Sequence, residues 1–367
     1  MMKPVRNPLS RLTRGVGLAL AVGLIAAPSA VRAASVQEVL NYKGADRQKM
    51  LEDGAKKEGA LTIYSSLTVN QALRPMVEAF RKKYPYLKTE FWRGDTRQIS
   101  QKILAEQRAH AVQADVLESS GLGEIMVKAK SIEKFSSPKI DEIPEKFRDK
   151  SRLLVPSRFS FMGTAYNTKL VPPSTQPKTF EDLLDPKWKG KLAWRAHSES
   201  GDLLFVINVL ITMGDQKGEE YLKKLSAQKV VNFNGSARTL VNRVVEGEYP
   251  VALNIFLHHP IISAKKGAPV AAWPMEPVPS ISGSLMIPKG LKHPHAAMLF
   301  IDFYLSDTGQ KVLQKAHYFP VMPNIKPRRD IQVVSPRVMN LKEDYVDPQT
   351  QFKYRQKAVD ITNKYFR

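Results

Sequence analysis

The chain has 367 residues, 43% of them hydrophobic and 25% charged, which is enough for a packed core and, at this length, for two domains. It contains no cysteine, which excludes disulfides, a zinc–thiolate site and a cysteine nucleophile. The formal charge of +21 is dispersed and no zinc-finger or RNA-binding motif accompanies it, so nucleic acid is not an expected partner.

Residues 1–33 read as a secretory signal. MMKPVRNPLSRLTR is basic and free of acids, GVGLALAVGLIAAPSAV is apolar, and Val31-Arg32-Ala33 offers small residues for cleavage after Ala33. Glycines and Pro28 interrupt the apolar stretch, which is short for a membrane span. Cleavage would remove five basic residues and leave +16. The expected location is the periplasm, with no cysteine at the cleavage site to carry a lipid.

LTIYSS (61–66) reads as a strand, β-branched and aromatic. The next segment, NQALRPMVEAFRKKYP, has Leu73, Val77, Phe80 and Tyr84 at helical spacing, with Asn70 as N-cap and Pro85 as the stop. LKTEFW (87–92), RQISQKILAEQRA and ADVLESS (114–120) give strand, helix, strand. This βαβαβ order argues for an open parallel sheet, in which ligands sit outside the carboxyl ends of the strands. Those ends are Ser65-Ser66, Arg93-Gly94-Asp95-Thr96 and Ser119-Ser120, small and polar, each leading toward a helix with free backbone N–H groups.

A second α/β unit begins near residue 160. Thr179 and Asp182 form a capping box, LAW is a strand, and LLFVINVLITM (203–213) has the length of a buried helix or strand. Ser236 caps the helix ARTLVNRVVEGE, and YPVALNIF follows as a strand. PSISGSLMIPKG and HPHAAMLFIDFYLSDTGQKVLQKA read as a strand and helices that return to the first unit.

The strings TFEDLLDPKWKGKLAW, YPVALN and IPKGLKHPHAAMLFIDFYLSDTGQKVL, followed by YFPV, resemble the extracellular solute-binding proteins of ABC importers. The branch they are most similar to includes the ferric-iron, thiamine and phosphonate binding proteins, and the similarity runs from about residue 59 to 325. The resemblance implies an α/β fold of the two-lobed periplasmic-binding-protein kind (type II), each lobe a mixed sheet flanked by helices. It implies connecting strands, a ligand in the cleft between lobes, and delivery to a membrane permease. Lobe 1 is expected over 34–157 plus 268–318 and lobe 2 over 158–267 plus 319–367, in a monomer without cofactor. Hinge closure would report loading.

The iron-binding relatives carry adjacent tyrosines where this chain has Asn254-Ile255-Phe256-Leu257. Phenylalanine and leucine offer ferric ion no hard oxygen donor. His258 and His259, read on an extended chain, point to opposite faces, so one is expected at the cleft or the hinge and the other in solvent. No metal ligand is assigned.

An anionic solute fits better. Arg93 and Arg97 flank the loop of the second strand, Arg158 lies near the first crossover, Arg195 follows LAW, and Arg238 opens a helix. Guanidinium groups bind carboxylate or phosphate bidentately. The expected ligand set is Ser65, Ser66, Thr96, Arg97, Ser119, Ser120, Arg158, Trp194, Arg195, Ser198, Ser236, Asn254, Phe256 and His258, with Arg195 and Arg158 as first anchors. Among the strand aromatics, core residues by default, Trp194 is the expected exception. The favoured solute is an organic anion such as a carboxylate or phosphonate. Iron or another metal, and a thiamine- or polyamine-like cation held by aromatics with Glu118 and Glu199, are the alternatives. An exported hydrolase would need a nucleophile elbow, a zinc-protease helix or a serine–lysine set, and none is present.

Overall fold

The first strand, β1 (Ala60–Ser65), carries Leu61 and Ile63 toward one side of its sheet and Tyr64 toward the other, the period-2 pattern of a strand covered on both faces. This computed structural model describes residues 34–367, so the expected signal segment lies outside the described residues. After β1 the chain makes one wide turn, Val69–Leu73, and continues as the helix Arg74–Lys83. Asn70 therefore lies inside the helical stretch and is not its cap; its side chain accepts from Arg74 Nε at 3.4 Å. The next strand, β2 (Lys88–Arg93), precedes the helix Thr96–Arg108, which Asp95 caps in a reciprocal box with Gln98. β3 (Val116–Ser120) and the short β4 (Ile132–Glu133) follow.

The strand β5 (Val155–Asn167) is 13 residues long and buried throughout. Beyond it come β6 (Leu192–Arg195), β7 (Val231–Phe233), β8 (Val251–Phe256), β9 (Val270–Trp273), β10 (Val278–Pro288) and β11 (Glu343–Tyr345). The main hydrogen-bonded path is β2-β1-β3-β10-β5-β8-β6-β7. The outer pairs are parallel, as the βαβ pattern predicts, whereas β10 is antiparallel to both β3 and β5. The mixed sheet thus joins two parallel blocks through two long strands. Each junction contains a register shift, one at Gly283/Ser284 and one at Gly163/Ala165. A Cβ at Gly283 would strike Arg158 Nη1, and one at Gly163 the Trp273 carbonyl, so close backbone approach requires glycine at both.

The segment Asp202–Met213 is a helix; Asp202–Leu210 is buried without a break, as in a helix covered on all sides. It packs against the C-terminal helix Pro348–Tyr365. Helix Pro294–Leu305 packs on Arg47–Glu58, in the first block's core with Leu61, Ile63 and Phe80. The tail touches both cores: Val321 and Ile331 join the first, Ala358 and Ile361 the second. Among the described residues no helix is long and apolar enough to cross a membrane.

Candidate functional site

The carboxyl ends of β3 and β6 meet. Gly121, at φ +77°, turns the chain out of β3, and a Cβ there would lie 2.8 Å from Glu199 Cβ. Glu199 stands in the tight turn after β6. Gly201 closes that turn, where a side chain would meet Arg195 and Ser198. Asn254 holds the same turn from β8, donating to the Gly201 carbonyl at 2.8 Å. It does so at φ +50°, a left-handed conformation that asparagine tolerates better than most residues.

Arg195 projects from the end of β6, its Nε on the Gly235 carbonyl at 3.2 Å and its Nη1 on Ser200 Oγ at 3.1 Å. Burial lowers its pKa to about 10, with Asp95 and Asp202 opposing that shift and Arg93 adding to it. Asp202 is engaged by Arg367 at 2.6 Å and accepts the Ser198 N–H at 2.9 Å.

Arg158 is 4% exposed on β5 and pairs with Glu118 of β3, 1% exposed. Glu118 also accepts from Ser65 Oγ at 2.7 Å and Ser157 Oγ at 2.9 Å. The Arg158 guanidinium reaches Ser120 Oγ at 3.3 Å and lies 4.9 Å from the Tyr318 ring centre, while its Nε has no hydrogen-bond partner.

His258 and His259 correct the expectation for an extended chain. They open the helix Ala264 ends, with Pro260 in its first turn, so their side chains do not alternate across a strand. Both are buried, their ring centres 4.4 Å apart, and neither faces solvent. Phe256 packs edge-on to His259 at 5.5 Å, and Tyr318 lies 4.8 Å from His258. Both His258 ring nitrogens and Nδ1 of His259 are unpartnered. Burial, then Arg238 and Arg158, hold His258 well below the ordinary histidine range. For His259 the causes are burial, then His258, Arg238, Arg195 and Arg158. Arg238 itself donates to the His259 carbonyl and to Ser263 Oγ, both at 3.0 Å. Arg238 thus holds the backbone of this pair and Arg158 shares the Tyr318 ring with His258, beside imidazoles whose ring nitrogens are largely without hydrogen-bond partners.

Other residues of the expected set serve the scaffold. Trp194 is fully buried, donates to Asn232 Oδ1 at 2.7 Å and packs on Phe205 and Phe366. It is a core residue, and its ring is not offered to a ligand. Ser65 is occupied by Glu118 and the Leu67 N–H, and the Ser66 N–H bonds the Glu118 carbonyl at 3.0 Å. Thr96 donates to the Ser120 carbonyl at 2.8 Å and lies 3.1 Å from Ser119 Oγ. Ser236 caps the helix Ala237–Glu246, and Arg97 is exposed on its own helix. Arg158, Ser120, Phe256 and His258 are brought together through the Arg158 guanidinium and the Tyr318 ring, while Arg195, Ser198 and Asn254 share the turn after β6.

A bridge that no sequence pattern announces ties the C-terminal helix to the turn after β6. Arg355 of the C-terminal helix reaches Glu199 at 2.7 Å and Glu124 at 3.3 Å. Burial, reinforced by Glu199 and opposed by Arg355 and Lys128, raises the Glu124 pKa to about 7. No local pattern could have flagged Arg355, whose partners lie more than 150 residues earlier in the chain.

The family model for bacterial extracellular solute-binding proteins matches residues 112–346, more than half of the chain. The chain therefore belongs to that family, the binding components of ABC importers. It is 28% identical over 273 residues to an uncharacterised protein of Haemophilus influenzae, covering 71% of this chain and 77% of the relative. Its fold is similar to the periplasmic binding protein AfuA from Actinobacillus pleuropneumoniae with fructose-6-phosphate bound (TM-score 0.72, 24% identity, 84% of this chain and 98% of that one). It is also similar to iron-bound HitA from Pseudomonas aeruginosa (TM-score 0.71, 20% identity, 83% and 99%). Phe256 and Leu257 supply no oxygen donor, and among the described residues no three His, Cys, Asp or Glu side chains gather as a metal set.

Proposed function

We propose that the chain captures a small organic anion, with a phosphate monoester, phosphonate or carboxylate head, between its two parallel blocks and presents it to a membrane permease. The observation that carries this reading is the buried cluster in which Arg238 holds the His259 carbonyl and Arg158 shares the Tyr318 ring with His258, the Arg158 Nε and three imidazole nitrogens having no hydrogen-bond partner, with Arg195 at the end of β6. A preorganised, partly desolvated guanidinium binds an oxyanion more strongly than a solvated one does. The phosphorylated sugar in AfuA is in keeping with such a head group. In this reading residues 34–157 with 268–318 form one lobe and 158–267 with 319–367 the other. The segment before Ala34 is a cleaved export signal, and a periplasmic monomer closes on its solute without breaking any bond.

Calorimetric titration with fructose-6-phosphate, citrate and ferric citrate tests it. Saturable binding of a phosphate or carboxylate is expected, weakened roughly 10–100-fold by Arg195→Ala, the equivalent of about 1.5–3 kcal/mol for a charge-assisted hydrogen bond. Binding of ferric ion alone, or equal affinity in Arg195→Ala, would overturn the reading.

A further inference from the structure

A cavity of about 450 Å³ lies on the other face of β10 from the arginine cluster. Gly283 faces Arg158 and Ser157, so by strand alternation its neighbours Ser282 and Ser284 turn the opposite way, and both line the cavity. One wall is the helix Gly123–Lys128 and the loop leading to β5; the other is the tail from Tyr345 to Phe352. Its volume falls within the roughly 300–1,000 Å³ common for small-molecule sites.

Its lining is two-sided in character. Phe147, Leu154 and Phe352 provide apolar surface, and Phe352 is 50% exposed, high for so large an apolar side chain. Lys128, Lys146 and Lys150 stand around it, with no ion pair to any of them among the described residues. Of the three acids lining it, Glu124 pairs with Arg355 through Oε1 at 3.3 Å and leaves Oε2 without a partner, and the other two are occupied. Asp149 accepts the N–H groups of Ser151, Leu153 and Leu154, and Asp347 caps the C-terminal helix through the Thr350 N–H. Arg148 contributes an Nε without partner, while Ser282 Oγ and Tyr345 OH, 3.1 Å apart, supply hydroxyls. Unpaired cations over an aromatic floor recognise an anionic head on a flat or apolar body.

We propose that this cavity is a second ligand site, for a small amphipathic organic anion, separate from the arginine cluster. The full chain is titrated with the fluorescent aromatic sulfonate 1-anilinonaphthalene-8-sulfonate, and with the uncharged N-phenyl-1-naphthylamine as a charge control. One saturable site is expected in the wild type and in Arg195→Ala. Affinity for the sulfonate falls at least tenfold in Phe352→Ser and in the pair Lys128→Glu with Lys150→Glu, and the uncharged analogue binds at least tenfold more weakly. The substituted side chains lie at the rim, and thermal melts check that each variant folds. The site is overturned by absence of saturable binding, by equal affinity in both rim variants, by equal affinity of the uncharged analogue, or by loss of binding in Arg195→Ala. The last outcome would place the probe at the arginine cluster.

Discussion

Arg158→Ala is the sharpest perturbation the structure offers. The substitution removes the only guanidinium paired with Glu118 among the described residues and leaves that carboxylate inside the crossover. Breaking a buried ion pair by deleting one partner costs about 3–5 kcal/mol, because a desolvated charge is left behind. Two hydroxyl donors remain on Glu118, from Ser65 and Ser157, so the lower end, about 3 kcal/mol, is expected. At about 2.1 cal/mol/K per residue, unfolding a chain of this size has an entropy near 0.7 kcal/mol/K, and 3 kcal/mol lowers the Tm by about 4 °C. Differential scanning calorimetry reads the shift, and urea melts give the free energy independently. Combining Arg158→Met with Glu118→Gln removes both charges and should restore more than half of the loss. A single variant no less stable than that double variant would refute the argument, since Glu118 would then not depend on its partner.

Three further outcomes follow from the same geometry. Glu124 has a folded pKa of about 7, above the ordinary 4.5, so the folded chain holds more protons and this group's contribution is complete below about pH 4.5 and lost as pH rises through 7. Urea midpoints across that window should show a component that disappears in Glu124→Gln. His258 is displaced the other way. Its contribution is present above the ordinary value of 6.5 and lost as pH falls below it, so His258→Phe should flatten the acid limb of the same profile. Trp194→Phe should cost about 1–3 kcal/mol, through the orphaned Asn232 oxygen and lost packing, while calorimetry finds solute affinity unchanged.

Much of the architecture was legible because its signals are local. The β1, β2 and β3 segments declared themselves by short β-branched or alternating runs, and the Thr179–Asp182 reciprocal bonds are present at 3.0 and 3.2 Å. Asn70 misled because a good capping residue inside a sequence is indistinguishable from one at a boundary until the backbone selects Val69 as the start. The histidine pair misled because periodicity was carried one residue too far: Pro260 was a first-turn signal, and a helix rather than a strand continues from Leu257. Trp194 followed the default for strand aromatics, since the tail brings Phe366 onto it from 172 positions away. The site was legible only in part for the same reason. Arg195 is readable from a strand end and Arg158 from its place near the first crossover, but Arg355 and Tyr318 arrive through tertiary packing that leaves no spacing to read.

The two register shifts set a pattern for amide hydrogen exchange. One lies in the β5–β10 ladder at Ser284 and the other in the β5–β8 ladder at Gly163, on either side of Arg158–Met162. Protection should therefore be deepest within the paired runs Ser65 to Ala60 of β1 and Val251 to Ala252 of β8, and step down at Gly163 and Ser284, giving two slow regions around a faster waist. An anion bound at Arg158 and His258 would sit astride that waist, so its arrival should slow exchange there first, before the flanking blocks register any change.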